Sequence, residues 1–164
     1  MNDHVARMLS NARGRLSDAD VLAQSLAATS DSVSILRLLG FEVLPKAAQL
    51  KATGRYGRSH CYSRLWAELP STVQTAVLDS ARQRFQSHVD LTRMDRLLRD
   101  WEFAFTRGRY FFEIYEDYNL AQQRELGEYW ESLGAPEAEA DVRFNPMEMD
   151  AIIHGLVEYV QNAP

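Results

Sequence analysis

The stretch VSILRLLGFEVLPKAAQL at residues 33–50 decides the fold class, because its apolar residues recur every three or four positions. The recurring residues are Val33, Leu36, Leu39, Val43, Ala47 and Leu50. This spacing places them along one face of an α-helix. Pro45 lies inside the pattern and lacks a backbone donor, so we expect the helix to bend there.

The same helical spacing continues in both directions, without strand-like alternation or a hairpin signal. We therefore predict an all-α protein, a four- to five-helix bundle with a C-terminal helical extension. The predicted helices cover about 4–28 with a break near Gly14, the Thr29–Ser32 cluster to 53, 62–68, 72–87, 97–118 and 120–133. A last helix follows Asn145 and Pro146, with asparagine as the cap and proline at the first helical position.

Residues 97–118 carry the densest group of aromatic side chains. Its rings are Trp101, Phe103, Phe105, Tyr110, Phe111, Phe112, Tyr115 and Tyr118. Burial of so many rings requires more than one face, so this segment is predicted to be the central helix of the bundle. The expected organisation is a bundle over residues 1–133 with its core at about 30–118, a linker at 134–145, and a helix at 146–164 that packs on the bundle or on a dimer partner.

Composition excludes several classes of protein. The chain has 164 residues and a net charge of -5, which argues against a polybasic nucleic-acid binder but leaves room for a local basic face. All of its eighteen basic residues except Lys46 and Lys51 are arginine. The single cysteine, Cys61, the absence of a secretory signal and the absence of a long apolar run predict a cytoplasmic location without membrane contact.

Motifs for phosphate, metal and cofactor binding are absent from the sequence. Neither a phosphate-binding glycine loop nor an H-x-x-x-H, H-E-x-x-H or E-x-x-H pattern occurs, and we therefore expect no metal and no cofactor. Asp150 and His154 stand four residues apart, and an ordinary surface pair is the favoured interpretation of that spacing.

Two segments together resemble HEPN-like helical domains of bacteria. The first is SILRLLGFEVLPKAA at 34–48, followed by RSHCYSRLWAELP at 58–70; the second is WEFAFTRGRYFFE at 101–113. The shared features are a Glu42–Lys46 pair, a Gly-x-x-His turn with a Leu-x-x-Leu-Pro element, and a later Phe-x-x-x-Arg-Tyr-x-x-Glu helix. The resemblance covers about residues 30–118 and implies a homodimeric bundle from toxin, defence or RNA-processing systems.

Many HEPN-like domains are metal-independent RNases that use an arginine followed four to six residues later by histidine. In such a site the histidine moves protons and the arginine stabilises the phosphorane charge. Arg55 precedes His60, and Arg82 precedes His88, at this spacing, yet neither pair lies where the family places it. In the equivalent helix Arg107 and Arg109 are followed by no histidine, so this chain is expected to lack the usual site.

The leading hypothesis is a HEPN-like binding or regulatory module in a bacterial defence or stress system, with RNA or a protein as partner. Its candidate ligand-binding residues are Arg107, Arg109, Tyr110, Glu42 and Lys46. The alternative is an endoribonuclease with the candidate catalytic residues His60, Arg55, Arg109 and Glu113. A second alternative is a helical protein–protein interaction module.

His60 separates these hypotheses by its exposure. A histidine that locks the turn by binding Glu42 or Glu113 should be buried and satisfied, whereas a functional histidine must reach solvent or a cleft.

Overall fold

The computed structural model describes residues 2–25, 31–85, 89–136 and 139–162, and it confirms the all-α prediction. No strand occurs within these four ranges. The helices are α1 (Asp3–Ser25), α2 (Asp31–Thr53), α3 (Tyr62–Ala67), α4 (Ser71–Phe85), α5 (Met94–Thr106), α6 (Phe111–Ile114), α7 (Leu120–Ser132) and α8 (Pro146–Asn162). A short 3-10 turn, Gly108–Tyr110, lies between α5 and α6.

Helix α2 is the centre of the bundle. It packs along α1 and also contacts α3, α5 and α8, while α8 packs against α4. Its buried side chains include Leu38, Phe41 and Leu44, and the helix continues through Pro45.

The predicted apolar face of α2 is largely wrong: Ala47 is buried, whereas Val33, Leu36, Leu39, Val43 and Leu50 are half-buried. Because α2 contacts four other helices, its fully buried positions are not confined to that single stripe.

The predicted break near Gly14 is wrong, because α1 is continuous from Asp3 to Ser25. Val5, Leu9 and Ala12 are buried along one face of this helix, which packs along α2. That packing outweighs the cost of a glycine in a helix interior, about 1 kcal/mol relative to alanine. The last part of the predicted helix, residues 26–28, lies outside the described residues.

The prediction of a central aromatic helix over 97–118 is also wrong. Helix α5 ends at Thr106, and the chain continues through the 3-10 turn and the four-residue α6. Gly108 sits where an added Cβ would come within 2.9 Å of Val142 Cγ1, so the turn lies close against the segment before α8. Several rings beyond this point face solvent, among them Tyr110, Phe112 and Tyr118.

The last helix begins at Pro146, as predicted, and joins the core of the bundle. Met149, Ile152 and Leu156 are fully buried. Asn145 has a left-handed backbone, with φ of 46°, and its carbonyl accepts the first helical hydrogen bond, from Met149 N at 3.0 Å. Its side-chain amide donates to Asp100 at 3.5 Å, which links the start of α8 to α5.

Candidate functional site

The loop from Gly54 to Cys61 carries His60 over the side of α2. Gly54 ends the helix with φ of 74°, a conformation that glycine adopts without strain. Gln49 then anchors the loop: its Oε1 accepts from Gly57 N at 2.8 Å, and its Nε2 donates to Glu68 O at 3.2 Å. A helix-borne amide thus fixes the turn that precedes His60.

His60 is bound to Glu42 and yet faces solvent. Its Nδ1 lies 2.8 Å from Glu42 Oε1, while 78% of its side chain is exposed. His60 therefore meets both predictions. Its hydrogen bond to Glu42 is the one expected of a histidine that locks the turn, and its exposure is the one expected of a functional histidine. Glu42 itself is buried.

The predicted Glu42–Lys46 pair is confirmed. Lys46 Nζ donates to Glu42 Oε1 at 2.7 Å, so the ammonium and the imidazole share one carboxylate oxygen. An ionised carboxylate only accepts hydrogen bonds, so it places the proton of a neutral His60 on Nδ1. This leaves Nε2 of His60 as an exposed acceptor, with no protein partner within the described ranges.

Arg109, in the 3-10 turn after α5, forms a second group of candidate residues with two aromatic rings. Its guanidinium carbon stands 5.2 Å from the ring centre of Phe105 and 4.8 Å from that of Tyr110. Distances below about 6 Å are typical of cation–π contacts. Tyr110 is partly exposed, so the cation and its ring together face solvent.

Tyr62, two residues after His60, is buried in the core and does not belong to the exposed surface. Its ring centre lies 6.1 Å from that of Phe105, and its hydroxyl donates to Leu38 O at 3.2 Å inside the bundle. Burial, followed by the neighbouring charges of Glu42 and Glu102, raises the pKa of Tyr62 far above its ordinary range. This tyrosine is therefore a neutral core residue beside Phe105.

The remaining candidate residues are less closely joined to His60. The exposed Arg55 takes part in hydrogen bonding only through its backbone, to Thr53. Arg107 forms a 4.0 Å ion pair with Glu113 at the surface. Across the part of the chain that the structure describes, no direct contact joins His60 to Arg55, Arg109 or Glu113. His88, the second histidine of an arginine–histidine pair, lies outside the described residues.

Glu102 and Asp150 each bind a residue of another helix. Glu102 Oε2 accepts from Tyr62 N at 3.0 Å and secures the start of α3. The expected pair of Asp150 and His154 is wrong: Asp150 binds Arg37, while His154 Nε2 lies 3.7 Å from Glu158.

Sequence reasoning missed the contact of Phe105 with Arg109 and the packing of Tyr62 beside Phe105. Part of the signal was available in α5, because Glu102 and Phe105 are three residues apart and share one helical face. The start of α3 packs against that face. Arg109 follows the end of α5, in the 3-10 turn, so helical spacing does not place it.

Two further findings concern metals and membranes. Within the four described ranges, no group of three or more histidine, cysteine, aspartate or glutamate side chains is arranged to hold a metal ion. No helix of those ranges has the length and apolar character needed to cross a bilayer.

Comparisons of the chain with protein families, with curated proteins and with solved structures find no match. The HEPN-like resemblance is therefore carried by the residues alone.

Proposed function

We propose that this protein is a HEPN-like module that binds single-stranded RNA in a bacterial defence or stress system. The observation that carries the proposal is the stack of Arg109 on Phe105 and Tyr110 at the surface. Bases stack on aromatic rings without regard to sequence, and a guanidinium adds charge and cation–π attraction. The stack therefore has the composition of a binding platform for an unpaired strand.

Local charge supports this use of the surface despite the net charge of -5. Arg107 lies next to the stack and is exposed, and its partner Glu113 is 4.0 Å away, beyond ordinary hydrogen-bond distance. A phosphate can displace such a loosely held carboxylate, because exposed ion pairs contribute only about 0–1 kcal/mol.

The proposal favours binding over cleavage because of what surrounds His60. A metal-independent RNase needs a cation next to its proton-transferring group to stabilise the phosphorane. Lys46 is the cation that shares Glu42 with His60, and its charge is already directed at that carboxylate. The arginine candidates, Arg55 and Arg109, make no contact with His60 among the described residues.

Titration of labelled single-stranded RNA across a series of salt concentrations tests the proposal. We expect the affinity for RNA to fall as the salt concentration rises. Arg109→Gln and Tyr110→Leu should each lower the affinity by about tenfold, because the first removes a charge of the stack and the second a ring. Arg124→Gln is the matched control, since Arg124 is an exposed arginine of α7 that pairs with Glu128.

An equal loss of affinity in Arg124→Gln would show general electrostatic attraction and would contradict the proposed site. Binding without a salt slope, or no RNA binding at all, would favour the second alternative, a helical protein–protein interaction module.

A second candidate function, metal-independent endoribonuclease, is favoured by one observation: Glu42 orients an exposed imidazole and leaves its Nε2 facing solvent. Carboxylate–imidazole pairs of this kind hold the ring in the tautomer that accepts a proton. Incubation with transfer RNA and mixed single-stranded RNA, with and without EDTA, tests this activity.

Cleavage that persists in EDTA and disappears in His60→Gln would establish the nuclease and replace the binding-only proposal. Glu42→Gln should then lower the rate of RNA cleavage without abolishing it, because the imidazole loses its orientation but remains present. His154→Gln is the matched control, since His154 is a partly exposed histidine that pairs with Glu158.

A homodimer is also proposed, on the resemblance and on the exposed apolar residues around the aromatic surface. Phe112 is 73% exposed, and Phe103 and Met147 are also exposed. Light scattering at micromolar concentration should give the mass of two chains, and Phe112→Ser should shift it toward one. A monomer for the native chain would contradict the dimer.

A further inference from the structure

A cleft of about 580 Å³ lies between α7 and the segments on either side of it. Its volume is within the range of small-molecule sites, about 300–1,000 Å³. One wall is the face of α7 that carries Leu126, Tyr129, Trp130 and Leu133, which follow at the helical spacing of three and four residues. The opposite wall is formed by Ile114, Tyr115, Tyr118 and Val142.

Hydrogen bonds hold the walls of the cleft in place. The Tyr115 hydroxyl donates to Asp141, which joins the end of α6 to the segment before α8. Trp130 Nε1 donates to Pro136 O at 3.1 Å, and Ala135 N donates to Trp130 O at 3.0 Å, so the chain after α7 is bound back onto that helix. The Tyr115 and Tyr118 rings meet edge to face with centres 6.0 Å apart.

The charge of the lining is of one sign. Glu131, Glu139 and Asp141 line the cleft, and no lysine, arginine or histidine is among the described residues that do so. Four aromatic rings, those of Tyr115, Tyr118, Tyr129 and Trp130, share the same space. Ring faces attract cations, and aromatic cages with carboxylates are the usual receptor for quaternary ammonium groups.

We propose that this cleft binds a small, free organic cation with a quaternary or fully alkylated ammonium group. Such a group is apolar at its surface and needs no hydrogen-bond acceptor. A cleft lined by aromatic rings therefore suits a quaternary ammonium group better than it suits a hydrated metal ion. The carboxylates supply the long-range attraction and disfavour ligands that carry an anionic group. This site shares no residue with the proposed RNA-binding stack of Arg109, Phe105 and Tyr110, and it does not depend on that function.

Calorimetric titration of the full chain with choline and with benzyltrimethylammonium tests the proposal. The matched ligand is the neutral isostere of choline, in which a quaternary carbon replaces the nitrogen. We expect choline to bind at least about tenfold more tightly than its isostere, because only the charge separates these two ligands. Benzyltrimethylammonium, which carries the same trimethylammonium group, should bind as well. Trp130 fluorescence should change at the same ligand concentration, whereas Trp66 and Trp101 lie in the core.

Variants locate the binding. Trp130→Leu and Glu131→Gln should each weaken choline binding by about tenfold. Tyr56→Leu is the control, because Tyr56 is an exposed ring outside the cleft, next to His4. Helix α7 has no buried side chain, so these variants should fold, and circular dichroism with an unfolding curve verifies this.

Equal binding of choline and its isostere, or unchanged binding in Trp130→Leu, would overturn the proposal. Two further arms test the source of the cation. Binding to phosphatidylcholine vesicles or to a trimethyllysine peptide, without binding of free choline, would overturn the assignment to a small free ligand.

Discussion

Two groups of aromatic rings in this molecule share the same local geometry and differ in burial. In the inner group, Phe41 lies edge to face with Tyr62 and Trp101 at 5.2 and 5.1 Å, and all three are buried. In the outer group, the edge-to-face pairs of Tyr110 with Phe112 and of Tyr115 with Tyr118 are at 6.1 and 6.0 Å. These rings lie in and around the 3-10 turn and the short helix α6, and none of them belongs to the buried core. The geometry of a ring pair therefore does not indicate whether the rings are buried, whereas the position of the rings in the helices does.

The largest expected effect comes from emptying the inner group. Trp101→Ala should lower the free energy of unfolding by about 3–5 kcal/mol, the usual cost of truncating a large buried ring. Trp101 is fully buried, and its Nε1 donates to Phe144 O at 2.6 Å, so the change opens a cavity and orphans a carbonyl. Denaturant unfolding followed by circular dichroism measures the difference.

Phe112→Ala is the matched truncation in the outer group. Because most of that ring is exposed in the single chain, the expected change is within about 0.5 kcal/mol when unfolding is measured at a chain concentration below that of dimer formation. Similar losses for both variants at that concentration would show that the outer rings are covered within the chain itself and would remove the contrast.

A pair of glycine substitutions sharpens the comparison at the level of the backbone. An added Cβ at Gly155 in α8 would meet the carbonyl oxygen of Val77 and come within 3.0 Å of its Cγ1. Gly155→Ala should therefore cost about 1–3 kcal/mol, the range for overpacking a core. At Gly127 in α7 nothing lies within 4 Å, so Gly127→Ala should stabilise the protein by about 0.5–1 kcal/mol.

Denaturant unfolding curves of the two variants should show changes of opposite sign in the free energy of unfolding. A stabilising Gly155→Ala would mean that α4 and α8 do not approach as closely as described. A destabilising Gly127→Ala would mean that α7 packs on another surface.

The periodic parts of the fold could be predicted from sequence, and the aromatic segment could not. The extent of helix α2 and the Pro146 start of α8 follow from local signals, and both predictions are confirmed. The predicted apolar face of α2 is not confirmed, because Ala47 is its one buried member. The end of α5 at Thr106 depends on how Gly108 packs against Val142, more than thirty residues later. No local pattern carries that information, so the count of rings suggested a helix that was too long.

The candidate site shows the same division. The Glu42–Lys46 pair follows from a spacing of four residues, and the structure confirms it. His60 reaches Glu42 because Gln49 holds the loop that carries it. No sequence motif predicts this role of Gln49. Arg55 is only five residues from His60 in sequence, yet among the described residues its hydrogen bonds run through its backbone to Thr53. The cleft beside α7 was missed because its walls come from three separate segments.

The smallest expected effect concerns the ionisation of tyrosine hydroxyls at alkaline pH, which should differ between the inner and the outer group of rings. Burial, and then the hydrogen bond and charge of Asp141, raise the pKa of Tyr115 from 10.0 to about 12. The folded state thus favours the neutral phenol, and the stability gained from it is complete below pH 10.0 and lost as the pH rises through about 12. Phenolate absorbance of the native chain minus that of Tyr115→Phe isolates this ionisation.

Asp141→Asn keeps a hydrogen-bond acceptor and removes the charge, so the midpoint should move down toward the ordinary value of 10.0. An unchanged midpoint would exclude Asp141 as a cause of the shift. Tyr62 in the inner group should behave differently, because its hydroxyl donates to Leu38 O within the bundle. Its ionisation requires the core to open and should coincide with loss of the circular dichroism signal. Tyr115 should ionise at lower pH while the bundle is still folded, since its ring lies outside that core.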